Sequence, residues 1–83
     1  MPFYVYMLKC VSCKKKKTYV GYTIDLKKRL KLHNNGTGAK FTKGNTWKII
    51  YKKKFNLKKN AMKYEYFLKK NQSLRSEIYN KFK

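Results

Sequence analysis

Apolar and polar positions partly alternate along FYVYMLKC, Phe3 to Cys10, and again along TYVGYT, Thr18 to Thr23. Both runs are rich in the aromatic and β-branched residues that suit a pleated surface. The charged stretch between them, Cys13 to Lys17, reads as a turn, so the pair predicts a β-hairpin. The period then changes: Leu26 and Leu30 stand one helical turn apart, Thr23 or Asp25 can cap the start, and Asn35-Gly36 ends the pattern. That predicts a helix over Leu26 to Asn34. The stretch GTGAKFTKG, Gly36 to Gly44, holds three of the four glycines and follows neither period, so it reads as a loop of the kind that often touches ligands. WKIIYKKKF, Trp47 to Phe55, suits a third strand, and Asn60 to Lys70 and Ser73 to Phe82 suit two helices. The predicted order is ββα, loop, βαα: an α+β fold with a small sheet flanked by about three helices.

The length of 83 residues allows one domain, 1–83, with no repeat, Pro-rich linker or Gly/Ser tract to divide it. At 42% hydrophobic and 17% aromatic residues, the chain has too much buryable side chain to be a disordered basic tail. No apolar run approaches the roughly 18 residues of a membrane span, and MPFYVYMLKC lacks the layout of a signal peptide. The expected location is cytoplasmic or nuclear, not secreted.

Charge changes the picture more. Against 23 Lys and Arg stand only 3 Asp and Glu, a net +20, and a polyanion that neutralises it through counterion release is the natural partner. A solvated Lys-rich surface is the plainer alternative. All but two of the 23 cations are lysine, so Arg29 and Arg75 stand out as places where a planar, always-charged fork is needed.

Arg29 and His33, the only histidine, lie one turn apart beside Leu26 and Leu30. This places a guanidinium and an imidazole together at the core-facing edge of the helix. On helix geometry alone they are a snorkelling Arg and a core-capping His before they are a phosphate clamp with a proton-handling neighbour. Glu65 shares a stripe with Ala61, Tyr64 and Leu68, while Lys59, Lys63 and Lys70 take the opposite arc. An inward carboxylate can hold Mg²⁺, which keeps most of its waters, or can pair with Arg29 or a lysine. Asp25 reads as a helix-start residue and Glu77 as an exposed one. Cys10 and Cys13 form CVSC without a second ligand pair for zinc, and are expected to be reduced and structural. Tyr4, Tyr6, Tyr19 and Tyr22 crowd the hairpin, where tyrosines among lysines serve packing or stack bases.

Taken in order, Tyr4-Val5-Tyr6, Tyr19-Val20-Gly21, Arg29, His33 and Glu65 closely resemble the GIY-YIG nuclease superfamily. The similarity runs through Thr23 to Gly44 and through Ala61 to Lys70, and is strongest to the small stand-alone members. These are related to the amino-terminal nuclease domain of bacterial excinuclease C and to the structure-specific flap and junction nuclease subunit. The specific element is the ordered set, with Arg eight residues after the Gly and His four later. Tyr4 stands where the name motif has Gly, and Tyr22 where the excinuclease branch has Lys.

The resemblance implies a three-stranded antiparallel sheet and a DNA endonuclease that hydrolyses a phosphodiester with one divalent ion, Mg²⁺ or Mn²⁺. Carried over by position, the catalytic set is Tyr6, Tyr19, Arg29, His33 and Glu65. Gly21 is the motif glycine, Glu65 the metal ligand, and Asn71 a candidate helper near the phosphate. Arg29 would clamp the scissile phosphate, and Tyr6, Tyr19 or His33 would take a proton, the tyrosines helped by a positive field that lowers their pKa. Lys14, Lys15, Lys16, Lys17, Lys40, Lys43, Lys52, Lys53 and Lys54 are candidate DNA contacts. The short chain leaves no room for a recognition module. Structure-selective cleavage of branched or flapped DNA, weakly sequence-specific cleavage, and cleavage directed by a targeting protein partner are all open to it. The alternative is a non-catalytic nucleic-acid-binding module on the same fold.

Overall fold

The alternation in Phe3 to Cys10 sends Val5 and Met7 to one face of a strand and Tyr6, Leu8 and Cys10 to the other, and all five are buried. In the computed structural model, which describes residues 1–82, that strand (β1, Phe3–Cys10) is central. It pairs antiparallel with β2 (Thr18–Thr23) on one side and β3 (Trp47–Phe55) on the other, in the order β2-β1-β3. Helix α1 (Leu26–Asn34) lies between β2 and β3 in sequence, and α2 (Lys58–Lys70) and α3 (Gln72–Lys81) follow. The strands and α1 have the expected bounds, whereas α2 begins two residues before the predicted start and α3 runs one residue earlier at each end.

Because both faces of β1 are apolar, the sheet is covered on both sides. Val5, Met7 and Val20 pack with Ala61 and Leu68 of α2, joined by Leu74 and Ile78 of α3. Tyr6, Leu8, Cys10 and Trp47 form the second core, against which Leu26 and Leu30 of α1 pack. A bulge in β3 lets one strand serve both. Met7 pairs with Tyr51 but Leu8 pairs with Ile49, so Ile50 is an extra residue. Tyr51 joins the α2 side, and Ile49 and Trp47 the α1 side.

Local signals fix α1. The Asp25 carboxylate accepts from the Lys28 amide at 3.1 Å, and Thr23 Oγ1 accepts from the Asp25 amide at 3.2 Å. At the other end Gly36 takes φ +85°, the left-handed conformation that stops a helix. One expectation is corrected here. Cys10 and Cys13 are joined as a disulfide, with Cα atoms 5.7 Å apart. The tight turn after β1 brings the two residues within bridging range, which reasoning from redox compartment alone passed over.

Candidate active site

Tyr6 faces Gly21 across the β1–β2 ladder, and its ring lies over the glycine. A Cβ at Gly21 would sit 2.6 Å from the Tyr6 hydroxyl and 3.2 Å from the Tyr19 ring, so only glycine lets the two tyrosines converge. Tyr19, on β2, sets its ring 5.0 Å from that of His33.

The helix spacing of Arg29 and His33 holds, and turns His33 fully inward. Its proton can be placed. Thr42 has one hydroxyl hydrogen, which it donates to the Ala39 carbonyl at 3.0 Å. Toward His33 it is therefore an acceptor, and Nδ1–H donates to Thr42 Oγ1 over 2.9 Å. Nε2 is left with its lone pair, and the Tyr6 hydroxyl donates to it over 2.8 Å. Trp47 completes the support. Its indole Nε1 donates to the Thr42 carbonyl at 2.9 Å, and its backbone exchanges two hydrogen bonds with the Asn34 side chain.

Burial sets the protonation of this chain. Loss of water, with the Arg29 charge adding to it, pushes the His33 pKa below the usual 6.5, so the ring is neutral. Burial also raises the Tyr6 hydroxyl from 10.0 to about 12, against the opposing pull of Arg29, with Tyr19 and Glu65 acting in the same direction as burial. The expectation that the positive field lowers this pKa is thereby corrected for Tyr6. Desolvation of a phenolate inside the sheet outweighs the attraction of one nearby guanidinium.

Arg29 is half-buried. Its Nη2 donates to the Gly38 carbonyl at 3.2 Å, while Nε is buried without a partner among the described residues. Gly38 is also tight against His33, since a Cβ there would meet Nδ1 at 2.5 Å. Glu65 lies on α2 between buried Ala61 and Leu68, as its stripe predicts, with its side chain 19% exposed. The ion pair weighed from sequence exists, to Lys69 rather than Arg29, at 3.8 Å. Among the described residues no three His, Cys, Asp or Glu side chains gather together. A divalent ion here would therefore rest on one carboxylate. A partly open, hard oxygen donor fits Mg²⁺ or Mn²⁺ that keeps its water shell, and the half-exposed Lys69 can swing away.

The structure thus brings Tyr6, Tyr19, His33 and Arg29 together, with the Glu65 charge acting on Tyr6. It does not gather the lysines. Lys14–Lys17 lie at the β1–β2 turn, Lys40 and Lys43 in the loop before β3, and Lys52–Lys54 on the far edge strand. Some of them have ring partners: Lys16 lies 4.3 Å from the Tyr79 ring and Lys53 4.9 Å from that of Tyr64. Asn71 caps α3, accepting from the Leu74 amide at 3.0 Å. Thr42, Gly38, Asn34 and Trp47 escaped the sequence reading. The only signal for the first two was their place in a glycine-rich loop.

The site is thus a three-stranded sheet that buries a Tyr–His pair beside an arginine, with one acid on a helix packed against the sheet. The sequence profile of the GIY-YIG catalytic domain matches residues 2–80, and the chain belongs to that family, whose members are typically endonucleases acting on DNA with a divalent metal. Its relatives include UPF0213 protein CPE1444 of Clostridium perfringens, 47% identical over 68 residues, which are 81% of this chain and 70% of the relative. UPF0213 protein YazA of Bacillus subtilis is 44% identical over 70 residues, 83% of this chain and 71% of YazA. The solution NMR structure of UPF0213 protein BH0048 from Bacillus halodurans is 36% identical, with a TM-score of 0.54 over 100% of this chain and 86% of that one.

Proposed function

We propose that the chain is a metal-dependent DNA endonuclease in which Tyr6 and His33 act as one proton-accepting unit. The observation that carries this reading is the 2.8 Å hydrogen bond from the Tyr6 hydroxyl to the lone pair of a buried, neutral His33. A phenol held near 12 is a poor base alone. With its proton already directed to Nε2, its oxygen can accept a proton from an attacking water as its own passes to His33. The Nδ1–H bond to Thr42 keeps the ring in the tautomer this needs. Arg29, oriented by its hydrogen bond to the Gly38 carbonyl, offers its guanidinium to the scissile phosphate. Glu65 would hold a Mg²⁺ or Mn²⁺ ion, which would supply positive charge to offset the negative charge that develops at the phosphodiester in the transition state.

Structure-selective or weakly sequence-specific cleavage is the specificity expected of it, because phosphate contacts from Arg29 and the lysines position a strand without reading its sequence. Branched, flapped and plain duplex DNA incubated with Mg²⁺, Mn²⁺ or chelator test the reading. Cleavage is expected only with metal, and Glu65→Gln and Arg29→Ala are each expected to lose about 10²–10³ in rate while staying folded by circular dichroism. Cutting that survives chelator or Glu65→Gln would remove the metal from the mechanism. Binding without any cut product would instead support a non-catalytic binding module.

A further inference from the structure

Phe41 is half exposed, although the aromatic rings it touches, Tyr19 and Trp47, are partly or fully buried. It is not loose. Its ring stacks on Tyr19 with centroids 6.2 Å apart and planes 22° apart, and leans on Trp47 at 6.0 Å. Its neighbours fix the loop: Thr42 is buried and bonded to His33, while Lys40 and Lys43 point to solvent. An exposed aromatic face is therefore held rigidly against a motif tyrosine.

Phe41 lines a groove of about 300 Å³ together with Thr18, Tyr19, Val20, Lys69 and Arg75. The groove continues into a second recess of about 240 Å³, which shares Thr18 and Arg75 and reaches Lys16. Among the described residues, no acid lines either one. Arg75, the second of the two arginines, directs Nη1 to the Leu68 and Lys69 carbonyls at the end of α2, which anchors the guanidinium at the groove wall.

From this we infer that the groove binds a nucleotide of the substrate strand next to the scissile phosphate, its base unpaired and stacked on Phe41 and its phosphates against Lys69, Arg75 and Lys16. The inference rests on the endonuclease reading for its account of what lies at Tyr19. A groove lined by both an exposed aromatic ring and two cations matches the two halves of a nucleotide. In a duplex both faces of a base are already covered by its neighbours, so only an unpaired base can present a free face to Phe41. The substrate class this selects is single-stranded DNA, or the single-stranded arm of a flap or fork, over plain duplex.

Binding in chelator tests it without relying on turnover. Single-stranded oligonucleotides carrying 2-aminopurine at successive positions, a flapped DNA and a blunt duplex are titrated into the wild-type protein, Phe41→Leu and Phe41→Tyr. The expected result is quenching of 2-aminopurine at one or two adjacent positions, and single-strand affinity about tenfold weaker in Phe41→Leu. Phe41→Tyr restores both, and duplex affinity changes less than twofold. Equal losses on single strand and duplex, no loss at all, or quenching that persists in Phe41→Leu would each overturn the inference. A protein that stacks an unpaired base yet cuts nothing with metal would defeat the endonuclease reading alone.

Discussion

Thr42 holds the proton of a histidine nine residues before it, and through that histidine it orients a tyrosine on another element. Each link depends on burial: an exposed imidazole would exchange its partners with water, whereas a buried one must keep both nitrogens paired. The same burial makes the site sensitive to pH. An unfolded chain takes a proton on His33 near 6.5, and the folded chain resists it. Below 6.5 the unfolded state binds more protons, so this contribution to stability, complete above 6.5, is lost as pH falls through the lowered folded value. Melting temperature is expected to drop on acidification below 6.5, and His33→Gln to flatten the drop. Cleavage rate should fall with an apparent pKa below 6.5, while Tyr6, protonated up to about 12, gives no alkaline fall at moderate pH. An acid limb centred above 6.5 would identify a different base.

At the scale of elements, β3 joins the two cores because it changes face partway. Ile50 interrupts the alternation, so Trp47 and Ile49 pack toward α1 while Tyr51 packs toward α2. Side chains alternate with a period of two, and a one-residue change of register exchanges the faces. Deleting Ile50 is therefore expected to turn Trp47 out of the α1 core and release the Thr42 carbonyl it holds. A red shift in the single tryptophan's fluorescence and loss of cooperative unfolding would report this. An unchanged spectrum would mean that the strand can slide to compensate. The sequence WKIIYKKKF announces a strand but not the bulge, since three apolar residues in a row fit either face. Helix α1 shows the opposite case: its cap, stop and stripe are all local, and its bounds follow from them.

Over the whole molecule, the lysines behind the +20 charge fall on separate elements, among them the β1–β2 turn, the loop before β3 and the edge strand β3. Lys53, which lies over the Tyr64 ring, has a structural task, whereas Lys40 and Lys43 flank Phe41 in solvent. Removing a lysine that neutralises one phosphate of a single strand lowers the slope of log K against log salt by about 0.7. The double change Lys40→Ala, Lys43→Ala is expected to reduce that slope by about 1.4, for two phosphates. Lys53→Ala should leave the slope unchanged and lower the melting temperature slightly. Equal slope changes in both would mean that the lysines act as an undifferentiated cloud.

The order of elements, the inward stripes of α1 and α2 and the ordered set from Tyr6 to Glu65 are all properties of the sequence by itself. They depend on periodicity and spacing within short stretches, where neighbours in the chain are neighbours in space. The Thr42 and Trp47 supports, the pairing of Glu65 with Lys69, the rise of the Tyr6 pKa and the exposed face of Phe41 belong to the tertiary structure alone. Each arises where a loop, a helix and a strand meet, and there burial, which no local pattern records, decides which groups lose water and which remain open to a substrate.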